Sequence, residues 1–186
     1  MHSLRRTAVF LLLAFGLRCA AAQVLQVGDP FPPVTAHSLS GGTLTLPDTH
    51  ATVVLVGFTR ASGDDSSRWS ARLVQDFPTL PAADDLIFLD SAPGFLRGMI
   101  ASAIRNGMTP QRQAHSAIMD RDSALWKSRL KGSDLSHAVV LVLDATGHIR
   151  AILSGPVTDA AYARLRSALS TLPDVMARSA TPSAKP

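Results

Sequence analysis

Residues 52–69 read TVVLVGFTRASGDDSSRW, and this stretch decides the fold. Its first seven residues form a β-branched apolar run that is typical of a strand buried on both faces. A polar break follows, after which the apolar residues Trp69, Leu73 and Phe77 lie four apart. This spacing predicts a helix over residues 64–77, because residues four apart lie on one helical face. The stretch therefore predicts a strand, a loop and a helix in immediate succession.

The same kinds of pattern continue along the chain. Apolar runs predict two more buried strands, and segments beside turns predict two short ones. Apolar residues three or four apart predict three further helices. The predicted strands are 43–46, 86–89, 138–143 and 148–153. Two of the predicted helices lie over 122–130 and 158–172. The third is marked by Phe95, Met99, Ile100 and Ala103. This alternation predicts an α/β fold with a central mixed β-sheet flanked by helices.

The first 22 residues predict a secretory signal peptide. A basic start precedes an eleven-residue apolar run over 7–17, and the small residues Ala20, Ala21 and Ala22 suit signal peptidase. We therefore expect cleavage after Ala22 and a periplasmic or secreted protein. An uncleaved signal anchor is the alternative, although a membrane span takes about 20 apolar residues.

Cleavage would change the charge and the cysteine content. The segment removed contains Arg5, Arg6 and Arg18, so 18 basic residues would become 15 against 14 acidic ones, and the net charge would fall from +4 to +1. That balance excludes a basic surface for nucleic acid. The only cysteine, Cys19, would also be lost, which excludes a disulfide framework and every thiol mechanism. No integral membrane span would remain.

Three short motifs carry a family resemblance. Residues 27–32 (VGDPFP) are similar to the opening of redoxins, residues 57–59 (GFT) to the end of the strand before their active-site loop, and residues 143–149 (LDATGHI) to one of their hairpins. In this order they resemble the thioredoxin-like superfamily, on its peroxiredoxin and redoxin side. The resemblance implies a thioredoxin-like domain over 23–172. The remaining residues, 173–186, are rich in Ser, Ala and Pro and predict a disordered tail.

The loop after the first buried strand departs from this resemblance. Redoxins carry reactive cysteines at the start of the following helix, where the helix dipole stabilises a thiolate. The resemblance places them at Ala61 and Asp65 or at Ser62 and Asp65, and it places a cis-proline near Ala138. Because none of these positions has the expected residue, we expect no enzymatic activity. A redoxin-type peroxidase or disulfide oxidoreductase is the alternative that the family implies.

The same loop provides a candidate binding site. Arg60, Ser62, Asp64 and Asp65 lie in it, and His137 precedes the third buried strand, where the resemblance places residues that face the loop. These five residues predict a polar binding site without a catalytic group. The second interpretation is a capped helix only, with Ser62 or Asp64 as the N-cap and both aspartates in the first turn. A nucleophile at Ser62 lacks a histidine placed by sequence to activate it.

The histidines predict neither a metal centre nor a cofactor site. The five after residue 22 are His37, His50, His115, His137 and His148. None has the i, i+4 spacing that makes a metal site specific. A weak site formed by His137 with Asp64 or Asp65, in a protein that delivers metal, is the alternative.

A second resemblance concerns function. Residues 98–108 and 147–150, with Gly155, are similar to the thioredoxin-like assembly factors of mitochondrial ATP synthase, which also lack a dependable cysteine pair. This resemblance implies a protein partner, with a subunit of a membrane complex as the client. We therefore expect an exported, non-catalytic binding or assembly factor of the bacterial envelope.

Overall fold

The computed structural model describes residues 23–180. The strands are β1 (Val34–His37), β2 (Thr43–Leu46), β3 (Thr52–Gly57), β4 (Asp84–Phe88), β5 (Ser116–Met119), β6 (Val139–Leu143) and β7 (Ile149–Leu153). The helices are α1 (Arg60–Asp76), α2 (Gly94–Asn106), α3 (Pro110–Ala114), α4 (Ser123–Arg129), α5 (Asp159–Ser170) and α6 (Pro173–Ala180). A five-stranded sheet in the order β5-β4-β3-β6-β7 forms the centre, and β1 and β2 form a separate antiparallel pair. The central sheet is mixed, because β3, β4 and β5 are parallel whereas β6 is antiparallel to both β3 and β7.

Alternate residues of the buried strands belong to two cores, one on each face of the sheet. On one face, Val54 and Val56 of β3 belong to the core that contains Trp126 of α4 and residues of the β1–β2 pair. On the other face, Val53 and Leu55 belong to the core that contains residues of α1 and α5. Both faces are therefore covered, and β3 and β6 are buried along their whole lengths, as their unbroken apolar runs predict.

The predicted α/β class and mixed sheet are confirmed. Sequence patterns missed β1, β5 and α3, which have only four or five residues each. Elements this short carry too few apolar residues to show a period. The first helix also begins four residues earlier than expected, at Arg60.

The prediction of a disordered tail over 173–186 is wrong for its first eight residues. They form α6, and Val175 is buried in the same core as Leu169 and Leu172. A proline suits the first position of a helix, and one buried valine anchors the segment to α5.

The rest of the predicted tail and the predicted signal peptide over 1–22 lie outside the described residues. Within residues 23–180, no helix has the length and apolar character needed to cross a bilayer.

Helix α2 packs less closely than its sequence suggests. Its apolar residues predict a core-facing side, yet none of its side chains is buried, and Phe95 and Met99 are 85% and 65% exposed. Ile100 and Ile104 instead line an open cavity between α2 and the rest of the fold.

Candidate functional site

The start of α1 is held by a reciprocal cap. The Thr59 hydroxyl accepts a hydrogen bond from the Ser62 backbone N–H at 3.0 Å, and the Ser62 hydroxyl accepts one from the Thr59 N–H at 3.0 Å. The predicted cap at Ser62 or Asp64 is therefore wrong, because Thr59 has both the extended backbone and the hydroxyl that the N-cap requires. Asp64 and Asp65 consequently fall beyond the first turn, which contains no acidic residue.

A glycine lets α1 begin this close to the sheet. A Cβ on Gly57, the last residue of β3, would lie 2.7 Å from the Ser62 hydroxyl oxygen and 3.3 Å from its Cβ. Ser62 is itself fully buried, and its hydroxyl donates to the Thr59 carbonyl at 2.6 Å. Since this hydroxyl is committed to the cap, Ser62 has a structural role rather than that of a nucleophile.

Asp65 and His137 form the most direct contact of the candidate site. Nδ1 of His137 lies 2.6 Å from Oδ2 of Asp65, with side-chain exposures of 29% and 4%. Because a carboxylate accepts hydrogen bonds, we assign the proton to Nδ1, which leaves Nε2 of the neutral ring as an acceptor. Arg68, whose Nη1 lies 3.6 Å from the other carboxylate oxygen, is a positively charged partner of Asp65.

Strand pairing explains how two residues so far apart in sequence meet. β6 lies antiparallel to β3, with Val139 opposite Val56, so the segment before β6 lies beside the loop after β3. The Thr59 hydroxyl donates to the Ser136 carbonyl at 2.8 Å and fastens the two segments together. The predicted facing of His137 and this loop is thus present in the structure.

The five predicted site residues divide into two groups. Asp65 and His137 are paired with each other. Arg60, Ser62 and Asp64 instead line a cavity of about 730 Å³ bounded by α1, β4, α2 and α3. The residues around this cavity do not include Asp65 or His137, so the start of α1 contributes to two separate surfaces.

The sequence patterns did not predict the polar cluster of this cavity. Asp85 of β4 is 1% exposed; its Oδ2 accepts a hydrogen bond from Nε of Arg112 at 3.0 Å and forms an ion pair with Nη2 at the same distance. Nη1 of Arg112 donates to the Ser67 hydroxyl at 2.8 Å. Burial raises the pKa of Asp85, and the Arg112 guanidinium opposes that rise. The available signal was the pair of aspartates that directly precedes the apolar run at 86–89.

A second acidic residue of β4 has a histidine partner. Asp84 accepts from the Thr52 hydroxyl at 3.0 Å, and its other oxygen lies 2.9 Å from Nδ1 of His115. The hydrogen bond with Asp84 raises the pKa of His115 above its usual value of 6.5.

Within residues 23–180, no group of three or more His, Cys, Asp or Glu side chains could hold a metal ion.

Solved structures that are similar to this one identify its fold. A thiol:disulfide interchange protein from Chlorobium tepidum aligns with a TM-score of 0.57 and 13% identity, over 78% of this chain and 97% of its own. The thioredoxin domain of a thiol-disulfide oxidoreductase from Bacteroides vulgatus aligns with a TM-score of 0.52 and 15% identity, over 77% and 97%. The fold is thioredoxin-like. A thiol peroxidase from Chromobacterium violaceum also aligns, with a TM-score of 0.50 and 12% identity, over 80% of this chain and 89% of its own.

At these identities the similar structures establish the fold and not the activity. No protein family and no curated protein sequence matches the chain. The resemblance to the ATP synthase assembly factors is not shown by these comparisons and stays a prediction.

Proposed function

We propose that this thioredoxin-fold protein binds a protein partner, without thiol redox chemistry, at the surface formed by Asp65, His137 and the start of α1. One observation carries the proposal. Position 65, which the redoxin resemblance aligns with a redox cysteine, is occupied by an aspartate whose carboxylate is hydrogen-bonded to His137 at 2.6 Å. Residues 23–180 contain no cysteine, and Cys19 lies outside the described part of the chain.

The geometry favours recognition over catalysis. The buried carboxylate holds the imidazole in one orientation, and Nε2 is then a positioned hydrogen-bond acceptor for an N–H or O–H of a partner. The Thr59–Ser136 hydrogen bond stiffens the same surface. A surface that is ordered before binding loses less conformational entropy when the partner docks.

We place the partner in the bacterial envelope. The N-terminal segment, with its basic start, apolar run and Ala20 to Ala22, supports export and cleavage before Gln23. A subunit of a membrane complex is the client that the second sequence resemblance implies. N-terminal sequencing of the protein tests the cleavage before Gln23, and an intact Met1 or a lipid-modified Cys19 would contradict that cleavage.

The competing function is a redoxin-type oxidoreductase, which the names of the similar structures favour. Peroxide reduction requires a thiolate, and disulfide exchange requires two thiols that form a mixed disulfide. We expect no peroxide consumption and no insulin reduction above a protein-free control. Thiol-dependent turnover by the purified protein would favour the oxidoreductase instead.

Binding is tested with a substitution at His137. The His137→Gln variant keeps a polar side chain but loses the imidazole acceptor. Partners captured from envelope extracts by the wild-type protein are purified and titrated against both forms. We expect the variant to bind at least about tenfold more weakly, because it loses one well-placed hydrogen bond at the interface. His50→Gln, an exposed histidine away from this surface, is the control and should bind like wild type.

A further inference from the structure

One residue that lines the cavity beside α2, Asp85, has a buried carboxylate oxygen without a hydrogen-bond partner among the described residues. Oδ2 of Asp85 accepts from Arg112, and from the Ser116 hydroxyl at 3.3 Å, whereas Oδ1 is buried and has no hydrogen-bond partner among the described residues. The Ser66 hydroxyl is near enough to lower the pKa of Asp85 but makes no well-formed hydrogen bond to Oδ1. A buried acceptor left unpaired costs about 1–3 kcal/mol.

The space around this atom is large and mostly apolar. The cavity has a volume of about 730 Å³, within the range of roughly 300–1,000 Å³ that small-molecule sites occupy. Ile87 of β4 and Ile100, Ile104 and Met108 from α2 and the turn after it supply aliphatic walls. Ala103 also lines the cavity and is exposed, so the cavity is open to solvent along α2.

Charge determines which polar group fits Oδ1. The guanidinium of Arg112 already balances the charge of Asp85 through one hydrogen bond from Nε and a close ion-pair contact of Nη2. An ammonium group would therefore meet a carboxylate that Arg112 already balances, and a carboxylate would face an oxygen with no proton to share. A neutral hydroxyl or amide N–H satisfies Oδ1 without adding charge.

We propose that this cavity binds a small, neutral, amphipathic molecule. Its hydroxyl or amide N–H donates to Oδ1 of Asp85, and its aliphatic body packs against Ile87, Ile100 and Ile104. This site is separate from the Asp65–His137 surface, so it stands or fails independently of the partner proposed above.

The probe is 1-octanol, titrated calorimetrically into the full-length protein. We expect saturable binding of one molecule per chain. Three probes of similar length test the chemistry, namely 1-methoxyheptane, which has no donor, octylammonium and octanoate. We expect each to bind at least about tenfold more weakly than 1-octanol, because each loses or penalises the hydrogen bond to Oδ1.

A matched pair of variants locates the binding. Ala103→Phe places a large side chain at the cavity from an exposed helical position, and Ser102→Phe places the same side chain next to it on α2, outside the cavity lining. We expect 1-octanol binding to be lost in Ala103→Phe and retained in Ser102→Phe. Absence of saturable binding to the wild type, equal affinity for 1-methoxyheptane, or unchanged binding by Ala103→Phe would overturn the proposal.

Discussion

Nδ1 of His137 lies 2.6 Å from Oδ2 of Asp65, although the two residues are 72 positions apart in the chain. The contact joins the first long helix to the segment that enters β6. It thereby couples the candidate binding surface to the packing of the sheet, and the strength of that coupling can be measured.

Removal of either partner of this pair should cost stability, and the two losses should not add. Asp65→Ala leaves the imidazole without its acceptor, and His137→Ala leaves a buried carboxylate short of a donor. A double-mutant cycle by urea denaturation should give a coupling free energy of about 0.5–3 kcal/mol. Strict additivity would mean that the contact contributes nothing to folding.

Two glycines near the start of α1 should respond to alanine in opposite directions. Gly57→Ala forces a Cβ to within 2.7 Å of the Ser62 hydroxyl, and we expect a loss of about 1–3 kcal/mol in the free energy of unfolding. A Cβ added at Gly63, inside α1, would meet nothing within 4 Å beyond the helix's own backbone, so Gly63→Ala should stabilise the helix by about 0.5–1 kcal/mol. Thermal denaturation of both variants measures the difference between them, and equal shifts in melting temperature would contradict the prediction.

The cap of α1 should matter more than a comparable cap elsewhere. Thr59→Ala removes the bond from the Ser62 N–H and also the bond to the Ser136 carbonyl. We expect a loss of about 1–2 kcal/mol. Thr158→Ala, which removes only the cap of α5 from the Ala161 N–H, is the matched control and should cost less. The reverse order would show that the Ser136 contact adds no stability.

Stability should depend on pH through His115. Its pKa is raised in the folded protein by the hydrogen bond with Asp84, so the protonated ring favours the folded state. This contribution is fully present below the unfolded value of about 6.5 and is lost as the pH rises through the higher folded pKa. The stability difference between wild type and His115→Gln should therefore be larger at about pH 5.5 than at about pH 8.5. Urea denaturation at both values measures it, and a pH-independent difference would contradict the mechanism.

The ion pair beside the cavity should be sensitive to removal of its cation. Arg112→Met leaves Asp85 buried without its counter-charge, for which we expect a loss of about 3–5 kcal/mol. Arg121→Met removes an arginine from a pair in which both side chains are largely exposed, and such pairs contribute about 0–1 kcal/mol. Chemical denaturation should separate the two variants clearly. Similar small losses in both would show that water reaches Asp85 freely.

Much of the scaffold was readable from local sequence. The apolar runs that became β3 and β6, and the helical spacing of Trp69 and Leu73, depend on periods that neighbouring residues create by themselves. The spacing in α2 predicted a helix correctly but not its loose packing, since a period shows that a helix has an apolar side without showing what covers it. The sequence pattern did not predict helix α6, because a single buried valine anchors it to the core and one residue creates no period.

The sequence by itself determined the α/β class, the order of the main elements and the absence of cysteine after Cys19. The tertiary structure alone decided that Asp65 pairs with His137 while Asp64 lines a cavity, and that Asp85 lies buried beside Arg112. The physical reason is that helical and strand periods arise from covalent neighbours. Which distant side chains meet depends on strand register and on how helices dock, and those follow from the packing of the whole chain.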